Sequence, residues 1–269
     1  MIARFAMLAG LAAILIAILF SSAPAYAYIF NYANAGFAAF LRGTVASTIQ
    51  GDEAYSRTSG TSTDFSDKVK YGFSGELGFQ YNFNDKVAAR IGVEGYQGKT
   101  IDASGTRASD GAALMNVNSL VTVINPNFGI EYCFLKGTSS RVYFLADAGY
   151  ALATVNNDYT LTATGQTQYS AASTSLTDKW KGTTISYVAG LGAEYYAFDN
   201  VTFTLEAGYR FMQFDKFTYA ADGTSIRGGS TTAVTSGSSV TDNGGSAVGI
   251  NMSGYFVGGV IRFYLPQFK

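Results

Sequence analysis

The sequence predicts an all-β fold, a single eight-stranded antiparallel transmembrane β-barrel with short periplasmic turns and long extracellular loops. Three observations predict it. Eight segments alternate, residue by residue, between an apolar face and a Gly-rich polar face, as β-strands do. Charged residues lie on the polar faces, which is the arrangement of a barrel in lipid, where charges are kept in the lumen. The connections between the segments alternate between short and long.

The chain begins with a predicted signal peptide, residues 1–27, which leaves residues 28–269 for the barrel. One basic residue, Arg4, precedes an apolar run from Phe5 to Phe20, and Ala25-Tyr26-Ala27 supplies a small-residue cleavage site. The alternative is a transmembrane anchor, because the run is only slightly shorter than a spanning helix. The cleavage pattern that follows at once favours the signal peptide.

Eight strands are predicted in the mature chain. Tyr71 to Phe83 shows the pattern most clearly, with aromatic and aliphatic residues on one face and Glu76 among Gly, Ser, Gln and Asn on the other. Strands of this length match the roughly 9 to 11 tilted residues that cross a bilayer. In chain order, the segments are about Gly36 to Ile49, Tyr71 to Phe83, Val87 to Tyr96, Leu120 to Phe134, Arg141 to Ala153, Thr183 to Phe198, Val201 to Gln213 and Gly254 to Leu265.

The links between these segments predict the topology. Residues 84–86, 136–140 and 199–200 form short turns, whereas residues 50–70, 97–119, 154–182 and 214–253 form long links, as in outer-membrane barrels. The last link is rich in Ser, Thr and Gly, so we expect it to be mobile and to bury no core. Pro126 predicts either a bulge in the fourth strand or a later start of that strand.

Composition excludes several functions. The net charge of -1 and the pI near 5.5 give no sign of nucleic acid as a partner. The absence of histidine removes His-paired nucleophiles and His-ligated zinc, so we expect no enzyme, no catalytic residues, no cofactor and no metal. Cys133 is the only cysteine, and we interpret it as a small filler of the lumen. A secreted lipocalin-like barrel is disfavoured, because none of the lysines lies in the middle of a predicted strand.

The repeated segments resemble those of the small eight-stranded outer-membrane barrels, a group that includes the OmpA transmembrane domain, OmpW-like proteins and Opa-like surface antigens. The resemblance covers about Gly36 to Leu265 and rests on runs such as residues 73–79, 146–150 and 258–263. It implies an outer-membrane location in a Gram-negative type of bacterium, contact with outer-membrane lipid, and insertion by the barrel-assembly machinery. That machinery recognises an aromatic residue at the end of the last strand, which here would be Phe263 or Phe268.

Ten charged residues on the inward faces form a predicted lumen charge network. An eight-stranded barrel is only wide enough for side chains to fill it, so these charges should pair. We expect a static plug of salt bridges; the alternative is a gate, in which an arginine exchanges carboxylate partners and opens a narrow path for ions or small solutes. The residues are Arg42, Glu76, Arg90, Glu94, Glu131, Asp147, Glu194, Glu206, Arg210 and Arg262.

Aromatic residues in the long links are the candidates for contacts with other molecules, because aromatic anchors dominate interface energetics. We expect a structural and surface role, in which the loops contact an extracellular protein, a phage or a neighbouring cell. The alternative interpretation is that the same residues pack the outer loops against one another. They are Tyr55, Phe65, Tyr159, Tyr169, Trp180, Phe217 and Tyr219.

Overall fold

The computed structural model describes residues 36–47, 63–64, 71–98, 101–107, 109–137, 139–198, 200–227, 230–241 and 245–265. The predicted signal peptide and two of the loop aromatics, Tyr55 and Phe65, lie outside these residues. No helix within the described ranges is long and apolar enough to cross a membrane.

Eight long strands form a closed antiparallel barrel, as predicted. Each strand pairs with the next in the chain, and the last pairs with the first, Ala38 lying opposite Tyr264. Closure leaves no unpaired edge at the level of these pairings. The strands are β1 (Gly36–Ser47), β2 (Tyr71–Asn82), β3 (Val87–Gly98), β4 (Ala113–Lys136), β5 (Ser140–Leu161), β6 (Ser175–Phe198), β7 (Val201–Phe211) and β8 (Gly254–Tyr264).

Short turns join the strands at one end of the barrel, and the long connections lie at the other end. In the turn between β2 and β3, the side chain of Asn84 accepts hydrogen bonds from the backbone N–H groups of Lys86 and Val87, at 2.8 and 2.9 Å. Such Asx turns reverse a chain within a few residues. The short turns therefore mark the periplasmic end, as predicted.

Three strands are much longer than predicted and build a wall on one side of the barrel, beyond its long-connection end. β4 and β6 have 24 residues each and β5 has 22, so the prediction that residues 97–119 and 154–182 are loops is wrong. A further strand, Ile101–Arg107, pairs with the outer part of β4. The prediction followed the apolar face, which ends where the outward residues change to Thr, Asn and Lys although the backbone pairing continues.

Pro126 lies inside β4 without a bulge, which corrects both predicted alternatives. The register between β4 and β5 is the same on either side of the proline, with Ile124 opposite Leu152 and Asn127 opposite Gly149. The pairing between β4 and β5 is interrupted at Asn125 and Pro126, because proline has no N–H to donate. The register of this strand pair shifts instead between Cys133 and Leu135.

The outward face of the barrel is apolar and the inward face is polar. Twenty-nine large apolar side chains of the described part of the chain are 37 to 65% exposed, far more than a water-soluble surface of this kind would leave in contact with water. They form a lipid-facing belt. Examples are Phe37, Phe73, Phe79, Ile91, Phe128, Phe144, Leu191, Leu205 and Tyr255.

The inward face of the wall and the described parts of the connections next to it form a compact unit, which we call the cap. Among its described residues are a helix, α1 (Ala163–Tyr169), and a hairpin of Gly223–Arg227 with Ser230–Val234. The prediction that the last link buries no core is wrong, since Ile226 and Val240 are fully buried among the aromatic residues of the cap. The other short strands are Thr63–Asp64, Gln213–Phe214, Thr218–Tyr219 and Ile250–Asn251.

Candidate functional site: the lumen charge network

Strand register brings the inward charges together. Arg42 on β1 lies opposite Glu76 on β2, and Glu76 lies opposite Glu94 on β3. Alternate residues of a strand point to the same face. A charged residue that is an even number of positions from one of these three residues on the same strand therefore also points into the lumen. All ten predicted charges are at most 7% exposed. The structure therefore places every residue of the predicted network inside the barrel.

The part of the network nearest the cap is centred on Arg42. Its guanidinium group pairs with Glu76, lies 3.2 Å from Glu206, and is within 3.9 Å of both Glu94 and Asp147. Arg210 pairs with Glu94. The charges of Arg42 and its four carboxylates therefore meet at one level of the lumen.

Arg90 and Tyr143 connect the middle of the network. Arg90 donates to Asp147 through two nitrogens, to Glu206 at 2.9 Å and to Glu131 at 3.5 Å. The Tyr143 hydroxyl donates to Glu206 at 2.7 Å. The contact of Arg90 with Asp147 through two nitrogens fixes the orientation of the guanidinium group relative to the carboxylate.

Toward the short turns, Glu194 and Glu131 are held by two arginines. Arg262 lies 2.7 Å from each of these carboxylates, and Arg141 lies 2.6 Å from Glu194. Thr202 and Tyr264 also donate hydroxyl hydrogen bonds to Glu194, at 2.5 and 2.8 Å. Both oxygens of Glu194 thus have several donors, which is the condition under which a buried carboxylate is tolerated.

Sequence reasoning missed three members of the network: Arg141, Tyr143 and Tyr264. The signal was present, because Arg141 and Tyr143 share the inward parity of Asp147 on β5, and Tyr264 that of Arg262 on β8. With Arg141 included, the described lumen contains six buried carboxylates and five buried guanidinium groups. One carboxylate is therefore in excess over the arginines.

Inward glycines provide the space that these large side chains occupy. A methyl group on Gly192 would overlap the ring of Tyr143, and one on Gly129 would overlap the carboxylate of Asp147. Alternation of small and large residues lets a narrow barrel accommodate bulky inward groups. A gap between Arg42, Glu94, Asn125, Asn127 and Asp147 is too narrow to hold a water molecule. The lumen at this level is filled.

Five of the predicted loop-contact residues are buried in the cap, which corrects that prediction. Tyr159, Tyr169, Trp180, Phe217 and Tyr219 are 0 to 4% exposed, and the rings of Trp180 and Phe217 lie 6.2 Å apart. They pack the outer connections against one another, as the alternative interpretation stated. Large aromatic residues in a loop are ambiguous in sequence, since burial in a loop core and burial in an interface require the same residue types.

A second buried polar cluster ties the cap together. Asp178 on β6 accepts hydrogen bonds from Asn157 on β5 at 2.8 Å and from Ser225 of the hairpin at 2.7 Å. The Tyr159 hydroxyl lies 3.4 Å from the same carboxylate. These contacts join two wall strands to a connection that follows them by about fifty residues, so they fix the hairpin to the wall.

No protein-family model and no curated protein sequence matches the chain. Among solved structures, it is similar to the outer-membrane protein OprG of Pseudomonas aeruginosa, with 15% identity and a TM-score of 0.43 over 88% of this chain and 100% of that one. It is similar to a major outer-membrane protein of Thermus thermophilus, with 13% identity, a TM-score of 0.44 and coverage of 84% and 99%. It is also similar to Ail, the attachment invasion locus protein of Yersinia pestis, with 14% identity and a TM-score of 0.40 over 85% of this chain and 99% of that one.

The apolar outer face and the charged lumen of this barrel indicate the membrane in which it resides. A closed ring of eight strands has an outward belt of aromatic and aliphatic side chains and a lumen of paired charges. Barrels of this construction, with short turns at one end and long connections at the other, belong to bacterial outer membranes. The chain is an integral outer-membrane β-barrel protein.

Proposed function

We propose that the protein is a sealed outer-membrane scaffold that presents an ordered cap at the cell surface, where the cap contacts an extracellular protein, a phage or a neighbouring cell. The observation that carries this proposal is the apolar core of the cap. Side chains from the wall and from the last long connection, Trp180, Phe217 and Val240 among them, are almost completely buried there. A connection that is ordered by such a core presents its exposed residues in fixed positions.

The exposed top of the cap is the surface on which we expect contacts. It consists of α1 and the hairpin, which touch each other, and it is rich in small side chains, most of them polar. Ala163, Thr164 and Thr167 on the helix and Thr224 and Thr232 on the hairpin are exposed. Rigid positioning reduces the entropy that is lost when a partner binds. The aromatic residues support this surface from below.

A narrow pore is the second candidate function, and one observation favours it. Arg42 lies within 3.9 Å of four carboxylates, so its guanidinium group could exchange partners with only small movements. A conducting path would also have to pass the cap core, because its buried cluster extends to Ala46 on β1, Tyr96 on β3 and Phe256 on β8. For this reason the scaffold is the function that the geometry supports better.

Attachment of intact cells distinguishes the two candidates. Non-adherent bacteria that express the full-length chain would be compared with cells in which residues 223–234 are replaced by a short Gly/Ser linker, and with cells that carry Glu206→Gln. The proposal predicts that attachment to cultured host cells, or adsorption of phage, is lost with the linker and retained with Glu206→Gln. Equal binding by all three strains and by cells without the protein would contradict a surface role.

A further inference from the structure

The outward face of the wall changes its chemistry with distance from the membrane. Within the belt, Tyr150, Leu152, Ile185 and Tyr187 are 43 to 55% exposed. Beyond them, β5 and β6 continue in unbroken register, but their outward residues are no longer apolar. On β6 these residues are, in order away from the belt, Thr183, Lys181, Lys179 and Thr177, and on β5 they are Thr154, Asn156, Asp158 and Thr160.

Three exposed lysines lie where the belt ends. Lys179 and Lys181 are separated by one residue on β6, so their side chains leave the same face about 7 Å apart. Lys181 pairs with Thr218, and Lys216 precedes that residue by two positions. None of these lysines forms an ion pair with another described residue. We call Lys179, Lys181 and Lys216 the rim lysines.

Two acidic neighbours offset part of this charge. Asp158 is one pairing row farther from the belt than Lys179 and accepts a hydrogen bond from Thr177 at 2.8 Å. Asp215, beside Lys216, accepts one from Gln213 at 3.0 Å. The three rim lysines outnumber these two carboxylates, so this group of residues has a net positive charge next to the apolar belt.

Beyond the rim lysines, the wall presents a flat array of hydroxyl, amide and carboxylate groups. Asp102, Asn118, Asp158 and Thr177 lie side by side on four strands, and so do Ser104, Asn116, Thr160 and Ser175. The side chain of Asn118 donates to Asp102 at 2.6 Å, and Ser104 donates to Asn116 at 2.9 Å. Groups spaced at the strand separation of about 4.8 Å suit hydrogen bonding to sugar hydroxyls.

We propose that this face of the wall binds a phosphorylated glycolipid of the outer leaflet. Its acyl chains would lie along the belt, its phosphates would contact the rim lysines, and its sugars would lie against the array of hydroxyl, amide and carboxylate groups. Along the membrane normal, the belt, the rim lysines and the polar array follow one another in the same order as the acyl chains, the phosphates and the sugars of such a lipid. Among the described strands, only those of the wall present these three surfaces in this order, since β1, β2, β3, β7 and β8 end at the belt.

Binding of lipid A tests the proposal. The protein would be purified from outer membranes of cells that express the full-length chain, placed in phosphatidylcholine nanodiscs and titrated with diphosphoryl lipid A, with native mass spectrometry as the readout. Near an anionic surface each lysine contributes about fivefold to binding, so Lys179→Gln, Lys181→Gln and Lys216→Gln together should weaken binding on the order of 100-fold. Arginine at the same three positions should retain it.

The matched control lies at the opposite rim. Lys86 and Lys136 are also exposed, but Lys136 lies 3.6 Å from Asp85, so Lys86→Gln with Lys136→Gln should weaken binding less than about threefold, against about 25-fold for Lys179→Gln with Lys181→Gln. Equal losses from the two pairs would overturn the proposal. So would unchanged binding of lipid A without its phosphates, or full displacement of the lipid by millimolar inorganic phosphate, which would indicate a site for free phosphate.

Discussion

Replacement of Arg262 by Gln should destabilise the barrel more than replacement of Glu206 by Gln, although both residues are buried in the same network. Arg262 lies 2.7 Å from Glu131, 2.7 Å from Glu194 and 3.5 Å from Glu206. The described lumen contains six buried carboxylates and five guanidinium groups. Loss of Arg262 leaves only four guanidinium groups for the six carboxylates. Removing one partner of a buried ion pair costs about 3 to 5 kcal/mol, and we expect a value in this range.

Glu206 is also surrounded by donors, but its loss acts in the opposite direction. It accepts from Arg42 at 3.2 Å, from Arg90 at 2.9 Å and from Tyr143 at 2.7 Å. Glu206→Gln leaves five carboxylates against five guanidinium groups, so the charges balance and only hydrogen bonds are weakened. We expect a cost of about 1 to 3 kcal/mol. The double variant should cost less than the sum of the two, since the residues are in contact.

Urea-induced unfolding in lipid vesicles measures these differences in the free energy of unfolding. Far-UV circular dichroism and heat-modifiable gel mobility report on the barrel. Fluorescence is unsuitable for it, because the only tryptophan, Trp180, lies in the cap. The reasoning from charge count is refuted if Glu206→Gln costs more than Arg262→Gln, or if Arg262→Gln costs less than about 1 kcal/mol.

Three further predictions follow from the belt, the lumen and the cap. Phe128→Arg, on the lipid-facing belt, should cost about 2 to 4 kcal/mol in the same unfolding assay, whereas Thr160→Arg on the outer wall should cost little. Gly192→Ala should lower the free energy of unfolding by about 1 to 3 kcal/mol because the methyl group overlaps Tyr143. Gly43→Ala, where nothing lies within 4 Å, should leave the free energy of unfolding unchanged. Equal values for the two variants would contradict the close packing of the lumen. Phe217→Ala should increase acrylamide quenching of Trp180 while the heat-modifiable mobility of the barrel is retained, and unchanged quenching would argue against the cap core.

The sequence predicted the barrel well because its signal is local. Alternation places Glu76 and Arg90 inward and Phe79 and Ile91 outward, and lipid enforces that choice at every residue of a spanning strand. Parity also identifies Arg141 once β5 is placed. The ion-pair partners could not be predicted, because Arg42 meets Glu206 across the lumen, and such contacts depend on strand tilt and stagger.

The wall and the cap were missed for a different reason. Outside the membrane, a strand no longer needs an apolar outward face, so Thr177 and Asn118 gave no strand signal although they lie in paired strands. The apolar residues of the cap core are isolated in sequence: Ile226 and Val240 each stand among Ser, Thr and Gly. Their burial depends on contacts with the wall, which no short segment reveals.

The measurement that tests the sealed barrel most directly is single-channel conductance in a planar bilayer. The protein purified from outer membranes of cells that express the full-length chain would be recorded beside Glu206→Gln and Arg262→Gln, with heat-modifiable mobility as proof of folding. A filled lumen under a packed cap predicts that the wild-type protein shows no discrete openings. Discrete openings of the wild-type protein whose size or frequency changes with either substitution would contradict the account and show that the lumen charges gate a path.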